Sequence, residues 1–110
     1  MNHDLDLKAQ VKQILKAVQE LAPGRSVELR IPPQAAIQCV GGRTHRRGTP
    51  PNVVQMSAET LLKLLENPVK WQQYCEAGAI SASGTNSNLG NLFAEVSKIM
   101  NSEVGSEHGK

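Results

Sequence analysis

The stretch Ser26-Val27-Glu28-Leu29-Arg30-Ile31, held between Pro23-Gly24 and Pro32-Pro33, alternates polar and apolar residues without exception. A period of two places Val27, Leu29 and Ile31 on one face of a β-strand and Glu28 and Arg30 on the other. The prolines mark its ends, because proline cannot donate to a strand ladder. A strand of this kind buries one face only. The chain must therefore build a sheet with one covered face, and the cover has to come from its other apolar segments.

Those segments are helical in spacing. From 4 to 22, Leu7, Val11, Ile14, Leu15, Val18, Leu21 and Ala22 recur at steps of three and four, away from Lys8, Lys12, Lys16 and Glu20, until Pro23-Gly24 stops the helix. Ser57 is placed to cap a short helix carrying Leu61, Leu62, Leu64 and Leu65. Asn67-Pro68 opens another, with Trp71, Tyr74 and Cys75 on one side and Gly78 at its end. A last helix over about 86–100 carries Leu89, Leu92, Phe93, Val96 and Ile99.

Further strands are expected over 35–40, 52–56 and 79–84. Gly41-Gly42 suits a two-residue hairpin turn, which asks for positive φ at both central residues, so the segment after it reads as a return strand. The expected architecture is α+β: a largely antiparallel five-stranded sheet covered on one face by helices. A chain of 110 residues supports one core, so residues 1–100 are expected to form a single domain and the polar segment 101–110 a flexible tail.

The net charge of +2 argues for no particular partner, but its distribution is uneven. All five arginines (Arg25, Arg30, Arg43, Arg46, Arg47) lie between 25 and 47, where Glu28 is the single acid. Arginine suits forked contacts to carboxylate or phosphate, although a solvated face that happens to use arginine reads as well. With a two-residue turn, Cys39 opposes Thr44, Gln38 opposes His45 and Ile37 opposes Arg46 across the hairpin. If Ala35, Ile37 and Cys39 face the core, Arg46 points inward and Arg43, His45 and Arg47 form an outward basic patch. A three-residue loop would reverse this.

Several function classes find no support. Trp71, Tyr74 and Phe93 are the only aromatics and none lies in the basic segment to stack on a base, so nucleic acid is not an expected partner. Gly41-Gly42 and Gly48 lack the spacing of a phosphate-cradling loop. Cys39 and Cys75 share no metal-ligand spacing with His3, His45 or His108, and no nucleophile motif surrounds them; no metal, cofactor or enzymatic activity is expected. No 18-residue apolar run spans a bilayer and no leader pattern opens the chain, which makes a cytoplasmic location the expectation.

Residues 51–93, PNVVQMSAETLLKLLENPVKWQQYCEAGAISASGTNSNLGNLF, follow an order similar to the C-terminal half of the sterol carrier protein domain. The combination PGRSVELRIPP (23–33), AIQCVGG (36–42) and THRRGTPPNVV (44–54) resembles small bacterial proteins of the sterol carrier family. What the resemblance implies is an apolar tunnel between sheet and helices that takes fatty-acid, acyl-coenzyme A or sterol-like ligands. It also implies an alternative: related domains fused to mycothiol-dependent isomerases and acetyltransferases act as accessory modules for a protein partner, without catalysis.

Under the first alternative Ile37, Leu61, Leu65, Trp71, Leu89 and Phe93 line the ligand site. They read equally as core, since a short chain needs every leucine to cover its sheet. Arg46, facing inward, needs an anion. Its internal candidates are Glu59, Glu66, Glu76 and Glu95 or carbonyls near Pro50-Pro51, and its functional candidate is the acidic head of a ligand.

Overall fold

A computed structural model of the chain describes residues 3–41, 52–85 and 87–108. Helix α1 (His3–Leu21) leads into β1 (Val27–Ile31) and β2 (Ala35–Cys39); then come β3 (Asn52–Met56), α2 (Ala58–Glu66), a 3-10 turn (Pro68–Lys70), α3 (Trp71–Glu76), β4 (Ile80–Ser83) and α4 (Gly90–His108). The helical and strand periods read from the sequence correspond to these elements. Ser57 Oγ accepts from the amide of Thr60 at 3.1 Å and so caps α2. α4 begins at Gly90, later than its apolar spacing suggests, because the Asn88 side chain accepts from the Gly90 amide at 2.9 Å and so caps the helix there.

The sheet corrects the sequence expectation. Among the described residues it has four strands in the order β2-β1-β3-β4, and it is mixed, where five largely antiparallel strands were expected. β1 pairs antiparallel with β2, with Val27 opposite Cys39, and β3 pairs antiparallel with β4. β1 and β3, however, run parallel, with Val27 opposite Asn52. Burial gives the reason. Val27, Leu29 and Ile31 are all fully buried, so β1 gains most from neighbours on both sides; β2, with Ala35 and Ile37 only half-buried, takes an edge. The expected return strand after Gly41-Gly42 falls in 42–51, outside the described residues.

The helices cover one face. Val11, Ile14, Leu15 and Val18 of α1, Leu61 and Leu64 of α2, and Phe93 and Val96 of α4 join Leu29, Ile31, Val54 and Met56 in one cluster. Of the outward-facing residues, Arg30, Gln55 and Ser81 are exposed, and Arg30 pairs with Glu28 at 3.2 Å.

Candidate functional site

The expected wall residues converge, and they do so tightly. Leu61 and Phe93 are 0% exposed, Leu89 3% and Trp71 5%, while Ile37 and Leu65 are half-buried at the margin of the same core. The Trp71 and Phe93 rings stack with centroids 6.1 Å apart. A side chain lining a water-sized void would keep some accessible surface. Leu61 and Phe93 keep none, so around them the layer between sheet and helices is filled by protein.

The end of the sheet is built differently. Val40 follows β2 with φ +67, a left-handed conformation uncommon for a β-branched residue. Two backbone bonds hold it there: its amide donates to the Ala22 carbonyl at 2.6 Å, and its carbonyl accepts from the Ser26 amide at 3.0 Å. Ser26 Oγ donates to the Gly41 carbonyl at 3.3 Å, and the buried Asn52 donates from Nδ2 to the Ser26 carbonyl at 2.8 Å. Gly41, after β2, and Asn52, at the start of β3, are thereby both tied to Ser26. Arg43, His45, Arg46 and Arg47, with the hairpin register that would orient them, lie outside the described residues.

Beside this network opens a groove of about 450 Å³. Its lining comes from three places in the chain: Ala22 after α1, Val40 and Gly41 after β2, and Thr85, Asn88, Leu89 and Leu92 leading into α4. Leu89 belongs both to the core and to this groove, and with Leu92 it is drawn from the apolar stripe that the sequence places on the last helix. The remaining lining positions went unread. Ala22 stood in the sequence as the last apolar residue of a helix, Thr85 as loop and Asn88 as the polar start of the last helix, and no periodicity joins positions 22, 40 and 88.

Nucleophilic chemistry finds no footing in the two thiols. Burial pushes Cys39 up to about 11, and burial followed by the neighbouring Glu76 charge raises Cys75, so both stay protonated near neutrality. Among the described residues, no three His, Cys, Asp or Glu side chains gather as metal ligands, and no helix is long and apolar enough to cross a membrane. An alkylating reagent at pH 8 should modify half-buried Cys75 first and leave buried Cys39 untouched until the protein unfolds. Mass spectrometry of partly alkylated protein checks this; equal labelling of the two would contradict the packing around β2.

A family model described as bacterial SCP ortholog matches residues 4–94. No curated protein matches the chain.

Proposed function

The chain belongs to the bacterial SCP ortholog family, and we propose that it is a non-catalytic binding domain that holds a small amphipathic or acidic lipid-like ligand. The family relation supports lipid binding in general. The observation that carries the finer reading is the groove at the end of the apolar layer, with Leu89 as both core residue and groove wall. Ligand sites are concavities of this scale with mostly apolar walls and a few polar groups. The role proposed for Arg46 is that of anchor for the acidic head and that for Leu89 an apolar wall, with Ile37, Leu61, Leu65, Trp71 and Phe93 as the packed layer that supports it; Arg43, His45 and Arg47 are proposed as a basic patch outside it. The absence of catalysis and a cytoplasmic location are part of the same proposal, the former supported by the protonated thiols.

Native mass spectrometry of the purified protein, with extraction of co-purifying lipid, tests the reading. A reproducible adduct of a few hundred daltons is expected, lost in Arg46→Met at an unchanged melting temperature. If Arg46 instead serves an internal carboxylate, the variant melts lower, since breaking a buried pair costs roughly 3–5 kcal/mol. A mass free of adduct, also after incubation with fatty acids, acyl-coenzyme A and sterols, favours the second reading: a module that docks a protein partner. The observation on its side is the sheet face that the described helices leave open, with Arg30, Gln55 and Ser81 exposed.

A further inference from the structure

Independently of any ligand, we propose that the edge strand β4 pairs with β4 of a second copy of this chain, antiparallel across a two-fold axis, so that two four-stranded sheets join into one. β4 is the last strand of the sheet and, among the described residues, pairs with β3 alone. Its outer side therefore presents backbone N–H and C=O groups as a template for another strand. Folded proteins ordinarily guard such an edge with lysine, proline or an inward-pointing charge. β4 has none of these. In a chain of which 20% is charged, residues 77–94 carry no charged residue and no proline, and Ser81, Ala82 and Ser83 are all exposed. The opposite edge is treated differently. There Gln19 donates to the Gln38 carbonyl of β2 at 3.1 Å, and the cation Arg25 donates to the Gln38 side chain at 3.0 Å.

The strand suits its own copy in charge and in shape. It has no charge to select an oppositely charged partner and none to repel an identical one, so two β4 strands can meet at the ordinary spacing of about 4.8 Å. An axis perpendicular to the sheet at Ala82 sets Ala82 opposite Ala82 and Ser81 opposite Ser83 on each side of it, a self-complementary contact. Opposed residues share a face. Ser81 opposes exposed Gln55 on the open face and Ala82 opposes buried Val54 on the covered one, so this pairing keeps the helices of both copies on one side of the joined sheet. Burial gains there as well. α3 lies against β4 and carries Tyr74 and Cys75 half-buried at the margin of the core, where a second copy shields them further from water. A strand of four residues forms few bonds, so the dimer is a weak one that dilution dissociates.

Sedimentation velocity of the full chain over a concentration series tests the pairing. The wild type should pass from monomer to dimer as concentration rises. Ser81→Lys combined with Ser83→Lys sets like charges directly opposite one another across the axis and should weaken the dimer at least about tenfold. Both positions are exposed, so the fold should survive, as circular dichroism of the variant checks. The double variant with glutamate at the same two positions should behave alike, and either one suffices for the test. Gln55→Lys, one strand inward on the same open face, puts its charge about 14 Å from its copy, beyond the screening length at physiological salt, and should dimerise like the wild type. Mixing the double-lysine and double-glutamate chains should restore a dimer, seen as the mixed species in native mass spectrometry; chains that had lost their fold would not be rescued. A wild type that stays monomeric at every concentration would overturn the second copy and leave the edge to a strand of another protein. A dimer that the paired lysines leave intact, one that Gln55→Lys weakens equally, or no mixed dimer from folded chains would overturn β4 as the contact.

Discussion

Gly24→Ala should cost the domain about 3–5 kcal/mol, a large part of the stability of a chain this size. Gly24 has φ +147, and a Cβ there would fall on the Val40 carbonyl and the Gly41 amide. Both obstacles are backbone, so no side chain can swing aside. Relief requires moving Val40, which is already strained at φ +67 and bonded to Ala22 and Ser26. The substitution thus acts on the join between the end of α1 and the end of β2, where the groove begins. Gly78→Ala is the control, since Gly78 also has positive φ (+84) but its added Cβ meets nothing within 4 Å. It should cost only about 1 kcal/mol, the conformational strain alone. Chemical denaturation of the two variants separates clash from strain; equal losses would mean that the 22–41 junction yields easily and that its close packing is unimportant.

Phe93→Ala should lose about 3–5 kcal/mol, through the removed apolar surface and the cavity left behind. Phe93 is fully buried and stacks on Trp71, so the variant also forfeits the ring pair. Ile99→Ala, on the same helix but 38% exposed, should lose much less, on the order of 1 kcal/mol. The comparison bears on function as well as stability. A loss under about 1.5 kcal/mol at Phe93 would indicate a loosely filled layer with space for a ligand, and would move the proposed site from the groove back beneath the helices.

The candidate site was less legible in the sequence than the fold. Leu61, Leu65, Trp71 and Phe93 were readable as one apolar set because helical spacing puts them on covered faces. The same spacing describes a cavity wall and a core, and only packing tells the two apart. The basic cluster was visible from composition, yet Arg46 depends on a hairpin register in residues 42–51, outside the described residues. Of the groove, only Leu89 and Leu92 were readable, as apolar positions of the last helix. Ala22, Val40, Asn88 and Leu92 come from three separated stretches, and their meeting depends on how α1 and α4 close over the end of the sheet.

By itself the sequence determined the local elements and their faces: the alternation of 26–31, the helical stripes of α1 and α4, the cap at Ser57 and the breaks at Pro23-Gly24 and Gly78. These follow from backbone geometry and from hydrogen bonds between residues a few positions apart, so they are written in short windows. Only the tertiary structure decided that β1 lies at the centre, that β3 runs parallel to it, and that the apolar layer ends in an open groove. Strand neighbours and concavities are settled by competition for burial among segments far apart in the chain. Val27, Leu29 and Ile31, all fully buried on the one covered face, hold an interior place in the sheet, where a neighbouring strand on either side helps to shield them from water.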